Sequence, residues 1–229
     1  VSFHNNKGEV VGLIGENGAG KYSLLKVLNG IYQPAEGKVL VEGREIAITS
    51  PRHAFDSGIA MVFQEQSILP TLTVAENIFL GREEEFLRFG LISKSRMNAA
   101  AAEELKKVHL STHPAMRCAD LSFADRQMIE IAKALSLDSR IKTDVTILLD
   151  EPTSVLEQKE IELLFRIIGD LKQRASIVFI SHRLEEVLEI PDRVYVMRDG
   201  QLLDLSLIHI CRCRRSPLCR SRWALYRTQ

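Results

Sequence analysis

Two groups of residues in this sequence are spaced for work on a phosphate ester or anhydride. The first is Gly15-Glu16-Asn17-Gly18-Ala19-Gly20-Lys21. Glycines at these positions let successive backbone N–H groups turn inward and cradle phosphate oxygens. A helix opening at Lys21 would add its partial positive charge, and the ammonium would neutralise the outer phosphates. Gly15, Asn17, Gly18, Ala19, Gly20 and Lys21, followed by Tyr22 and Ser23, are therefore the candidate nucleotide-binding segment. A plainer reading of it is a glycine-rich turn. The second group is Asp150-Glu151, which closes the apolar run Val145–Leu149. Acids at the end of a buried strand are costly unless they have a task there. Asp150 suits a Mg²⁺ ligand and Glu151 a general base for an attacking water. The plainer reading is a strand that ends in polar residues. Tyr22 is the departure in this set. A phosphate loop ordinarily continues from its lysine with Ser or Thr, whose hydroxyl reaches the metal. A phenol on a wide ring cannot place its oxygen there, and Ser23 is turned away by about 100° of helix.

The elements that must position these residues follow from periodicity. Val10–Ile14 reads as a short buried strand and Lys21–Asn29 as a helix stopped by Gly30. Val39–Val41 and Ile46–Ile48 flank Gly43 like a hairpin, and Ile59–Phe63 is a second buried strand. From Leu72 to Leu137 the pattern becomes helical, with helices expected over 74–80, 95–108 and 126–137. Strands return at 145–149, 176–180 and 193–196, with helices at 157–173 and 183–189 between them. Alternation of this kind predicts an α/β protein, and the strand, glycine-rich turn and helix over residues 10–29 resemble the opening of a P-loop NTPase (RecA-like) core. Its sheet is mostly parallel, with a small antiparallel β part and a helical insertion. The expected domain runs 1–204, with its core at 1–65 and 140–204 and its helical part at 66–139.

The formal charge of zero conceals an asymmetry. Residues 205–229 carry six Arg and no acid, which leaves 24 basic against 30 acidic residues in 1–204, a net of −6. A mildly acidic body argues against a nucleic-acid binder. Cys118 is the one cysteine of the body, as suits a reducing compartment. No stretch approaches the roughly 20 apolar residues of a membrane-spanning helix. The 205–229 segment is read either as a basic, Cys-containing arm for metal or nucleic acid, or as a non-native tail. The run Leu205-Ser-Leu-Ile-His-Ile and the following Arg212-Cys-Arg-Arg favour the second reading, since they resemble a translated sequencing adapter. The start at Val1, without Met, suggests that the N-terminus is also cut.

Further segments resemble the ABC ATPase family. Asp150-Glu151-Pro152-Thr153-Ser154 is similar to its Walker B strand end, and Val155-Leu156-Glu157 to its D-loop, with Glu in place of the usual Asp. Ile180-Ser181-His182-Arg183 resembles its switch-histidine segment and Phe63-Gln64-Glu65 its Q-loop. Leu121–Gln127 is similar to the Leu-Ser-Gly-Gly-Gln signature, with Phe123, Ala124 and Asp125 replacing the last three residues. Thr73–Glu83 resembles the corresponding segment of monosaccharide importers of the ribose, galactose and xylose type, which carry two ATPase halves in tandem. The chain is similar to the first half, over residues 1 to about 204.

The resemblance implies ATP and Mg²⁺ as cofactors and ATP hydrolysis coupled to sugar import. Glu151, His182 and Gln64 would be catalytic, Asp150 and Gln64 would hold Mg²⁺, and Ser122 would face the ATP of a partner domain. The implied partners are a second ATPase domain (a tandem half or a dimer mate), membrane permease subunits and, indirectly, a sugar-binding protein, with no nucleic acid. The implied location is peripheral, on the cytoplasmic face of a bacterial-type plasma membrane. The family's adenine-stacking aromatic lies further upstream than the fourteen residues before Gly15 allow, and Phe3 is too close to the loop. Two other readings stay open. One is a nucleotide-binding module with impaired hydrolysis, which Tyr22 supports. The other is a non-transport ABC ATPase of repair or translation, although the long coiled-coil or basic insertions of such chains are not visible.

Overall fold

The structure is a computed structural model and describes residues 1–63, 67–136 and 144–205. Strand β1 (Val10–Gly15) runs into helix α1 (Lys21–Leu28). A short ribbon, β2 (Leu40–Val41) and β3 (Arg44–Glu45), and helix α2 (Pro51–Asp56) precede β4 (Ile59–Val62). The helical stretch holds α3 (Val74–Ile78), a second ribbon β5 (Leu87–Arg88) and β6 (Leu91–Ile92), then α4 (Lys94–Lys107) and α5 (Phe123–Leu135). The chain returns through β7 (Val145–Asp150), α6 (Gln158–Leu171), β8 (Ala175–Ile180), α7 (Leu184–Glu189), β9 (Arg193–Arg198) and β10 (Gln201–Leu205).

Six strands form one sheet in the order β10-β9-β1-β8-β7-β4. All neighbours are parallel except β9 and β10, which form an antiparallel hairpin. The predicted α/β class with a mostly parallel sheet, small antiparallel parts and helices is what the structure has. Burial follows the period of two that a covered sheet demands. Val10, Ile147, Ile177 and Phe179 enter one core with α3, α4, α5 and α6. Val11, Leu148, Val178 and Ile180 enter the other, against Leu25 of α1 and Ala54 of α2. The register brings the chemistry together: Ile180 of β8 lies opposite Leu13 of β1 on one side and Asp150 of β7 on the other. With strands about 4.8 Å apart, the carboxyl ends of all three fall within roughly 10 Å.

Several boundaries differ from the expected ones. Helix α5 begins three residues earlier than expected, at Phe123, because the Ser122 hydroxyl accepts from the Asp125 N–H at 3.1 Å and caps it there. Helix α3 is shorter, ending at Ile78, and starts in a capping box between Thr73 and Glu76. The first ribbon pairs Leu40–Val41 with Arg44–Glu45, so its second side turns back at once after Gly43 and precedes the expected 46–48. Helix α2 was not expected, though Ser50 accepting from the His53 N–H with Pro51 at the first helical position is an ordinary start signal. The ribbon β5–β6, which turns through Phe89 and Gly90 at positive φ, was not specified either, nor was the antiparallel pairing of β10 with β9.

Candidate functional site

The loop after β1 is held in its curve by contacts that leave glycine no substitute at its first position. A Cβ on Gly15 would lie 2.2 Å from the Met197 carbonyl oxygen of β9. Gly20 caps α1 with φ 101°, in the left-handed region that costs other residues about 1–2 kcal/mol. The turn closes through Ala19 N–H to the Glu16 carbonyl at 3.1 Å, and the β9–β10 hairpin braces it through Gly200 N–H to the Ala19 carbonyl at 3.1 Å. Glu16, Asn17 and Gly18 are exposed at the tip. Lys21 is buried and folds back over the loop, its Nζ donating to the carbonyls of Gly15 at 2.6 Å and Glu16 at 3.0 Å. Ser23, one position past Tyr22, is exposed on α1.

Across the sheet, β7 delivers Asp150 and Glu151, both buried. Glu151 sits at φ 46° and is tied to β8 by its N–H to the Ile180 carbonyl at 3.0 Å. Its two carboxylate oxygens are both engaged. Oε1 accepts from the Tyr22 hydroxyl at 2.9 Å, and Oε2 lies 3.2 Å from Nδ1 of His182, which follows β8. The Asp150 carboxyl is pushed up to about 6, by burial first and then by the Glu151 charge, against the pull of Lys21 and Lys26. Its Oδ1 is buried without a hydrogen-bond partner among the described residues. The arrangement therefore has a glycine-rich loop with an ammonium folded over it on one side. On the other it has a carboxylate oriented by an imidazole, and a second carboxylate short of positive charge.

The sequence profile of the family described as ABC transporter matches residues 1–154. The chain is 47% identical over 204 residues to a ribose import ATP-binding protein, RbsA 1, of Rubrobacter xylanophilus, covering 89% of this chain and 40% of that protein. It is 42% identical over 210 residues to a putative ribose/galactose/methyl galactoside import ATP-binding protein of Geobacillus kaustophilus, covering 91% and 41%. The chain belongs to the ABC transporter family. Its fold matches that of an ABC transporter ATP-binding cassette in its ADP conformation, with TM-score 0.77 at 25% identity over 96% of this chain and 91% of that one. A nucleotide-free ABC cassette gives TM-score 0.77 at 26% identity, covering 97% and 90%. The chain spans about 40% of the length of the first relatives it matches.

Against the ABC pattern, Asp150 fits a divalent cation: an orphaned, buried carboxylate oxygen with a raised pKa is what an absent counter-charge leaves. No cluster of three or more His, Cys, Asp or Glu suited to a metal exists among the described residues, and Mg²⁺ needs none when phosphates and water complete its shell. Tyr22 does not fit as a ligand. Its hydroxyl is committed to Glu151, Lys21 Nζ lies 5.9 Å from its ring centroid, and burial and that hydrogen bond hold its phenol above the usual range.

Gln64 lies outside the described residues, as does the 206–229 part of the tail. Ser122 is exposed at the start of α5, and no hydrogen bond among the described residues joins it to the loop or to Glu151. Phe3 packs on Tyr195, with ring centroids 5.2 Å apart, and so belongs to the core rather than to a base-stacking site. Sequence reasoning missed Thr153, Ser181 and Glu186, which form one buried hydrogen-bonded set behind Glu151 and His182. Two of them lie inside segments already singled out, so the signal was the pair of hydroxyls flanking the candidate residues.

Proposed function

We propose that this chain is the ATP-binding and ATP-hydrolysing part of an ABC importer for a sugar, working through a separate membrane permease. Residues 1–204 would act as one cassette, with 66–139 its helical part. The observation that carries the reading is the convergence on Glu151. A residue of the first turn of α1 and the histidine after β8 both reach one carboxylate, so the phosphate loop and the paired acids share one site. The names of the relatives support a sugar of the ribose or galactose kind as cargo.

In this reading the loop amides from Asn17 to Lys21 bind the β- and γ-phosphates, and the Lys21 ammonium leaves the Gly15 and Glu16 carbonyls for phosphate oxygen. Glu151 accepts the proton of the attacking water. His182 holds the Glu151 carboxylate through Oε2 and stands ready for the γ-phosphate. Asp150, with Gln64, would hold Mg²⁺, which supplies charge neutralisation on the phosphates. Ser122 would offer its hydroxyl and the α5 N-terminus to nucleotide bound on a second ABC cassette, and closure of the pair would drive the permease. The chain would sit peripherally on the cytoplasmic face of the membrane; among the described residues no helix is long and apolar enough to cross one.

Titration of the chain with a fluorescent ATP analogue tests the reading. Lys21→Ala should weaken binding about 10- to 100-fold, the worth of a charge-assisted contact. Equal affinity for the two proteins would defeat it. A second reading, nucleotide binding with impaired hydrolysis, is favoured by one observation, the hydrogen bond from Tyr22 to the proposed base.

A further inference from the structure

We propose that Glu186 is a positioning residue that holds His182 against Glu151. The proposal rests on reading those two as the hydrolytic pair, and it concerns a residue outside the nucleotide site. Glu186 lies on α7 with 5% of its surface exposed. A carboxylate at that depth is expensive unless its oxygens are fully engaged. Its Oε2 accepts from the Thr153 hydroxyl at 2.7 Å and from the Ser181 hydroxyl at 2.6 Å, and its Oε1 faces Arg183 Nη1 at 3.3 Å. Thr153 stands two residues beyond Glu151, while Ser181 and Arg183 bracket His182. The Ser181 hydroxyl oxygen also accepts the Arg183 backbone N–H at 3.0 Å. One carboxylate thus ties the segment after β7 to the segment after β8, next to the point where each delivers its functional side chain.

His182 has little else to fix it. Its side chain is 57% exposed, and Glu151 is the only polar partner of its ring among the described residues. Packing does not set that ring; the backbone on either side of it does. Stability is a weak reason for the charge, since buried ionic sets can often be replaced by apolar residues of similar volume at no cost. What the ionic set adds is a fixed separation between two loops, which a contact of 3.2 Å requires.

The test is a long-range ¹H–¹⁵N spectrum of the imidazoles in nucleotide-free chain labelled at histidine. The His182 signals are identified by their loss in His182→Ala. Glu186→Gln keeps the shape of the side chain and should melt close to the wild type. Its His182 signals should move to the positions they take in Glu151→Ala, and in the Glu151→Ala background the same substitution should move them no further. Thr153→Val removes one donor and should shift them part of the way, which keeps the proposal open to refutation if Glu186→Gln does not fold. His182 signals left unmoved by Glu186→Gln and Thr153→Val, or moved as far when Glu151 is already gone, would overturn it. The spectrum needs no nucleotide, so failure of the chain to bind ATP would count against the proposed function and leave this result readable.

Discussion

Changing Tyr22 to Phe removes a single hydroxyl and leaves the ring where it is. In the structure that hydroxyl donates to Oε1 of Glu151 at 2.9 Å while His182 lies against Oε2, so each oxygen of the proposed base already has a partner. A hydrogen bond to an ionised acceptor is worth about 1.5–3 kcal/mol net. If Glu151 must release it before taking a proton, hydrolysis is slowed by about 10- to 100-fold. Tyr22→Phe should therefore raise single-turnover phosphate release by that factor while ATP affinity stays within about twofold. Tyr22→Ser should raise it further and make ATP affinity depend on Mg²⁺, because a short hydroxyl returns to the place after the lysine. Ultraviolet titration gives an independent reading. The wild-type minus Tyr22→Phe difference should show one phenol ionising above the usual range, for burial and the Glu151 hydrogen bond both oppose its charge. Equal turnover in wild type and Tyr22→Phe, both binding ATP, with Tyr22 ionising in the ordinary range, would show that the phenol does not restrain Glu151.

Other outcomes follow from the same geometry. Gly15→Ala puts a Cβ 2.2 Å from a backbone oxygen that cannot move without parting β1 from β9, so urea denaturation should show a loss of about 2–3 kcal/mol, with ATP binding lost alongside. Asp150 holds its proton to about pH 6 in the folded chain against about 3.9 unfolded, so the native state binds the extra proton between those values and its stability should fall as pH rises through them. Asp150→Asn should flatten that part of the thermal-stability profile; a wild-type minus mutant difference that rises with pH would contradict the assignment. Ser122→Ala should cost about 1 kcal/mol through the lost cap, leave ATP affinity of the single chain unchanged, and abolish any ATP-dependent pairing of cassettes seen by light scattering.

The strand, glycine-rich turn and helix of residues 10–28 were legible because their constraints are local. A strand, a turn with glycine at its positive-φ positions and a helix opening on lysine follow one another within a dozen residues. The alternating strands and helices were legible for the same reason, through periods of two and 3.6. Helix α2 carried its start signal in Ser50-Pro51, and it went unread because its six residues show little apolar period. What could not be read was contact between distant residues. Tyr22 and Glu151 lie 129 positions apart and Thr153 and Glu186 lie 33 apart, and nothing local marks either pair. Tyr22 was recognisable as a missing hydroxyl, but its hold on the acid depends on strand order: β1 and β7 are not neighbours, and β8 between them sets the distance that a phenol spans.

On the proposed function, backbone amides at the end of β1 grip the triphosphate opposite the acids of β7. Amide chemical shifts recorded as ATP is added to ¹⁵N-labelled chain test it most directly. The largest changes should fall on Gly18, Ala19, Gly20, Lys21 and Tyr22, with smaller ones at Glu151 and His182. Changes centred elsewhere, with those loop amides still, would contradict it.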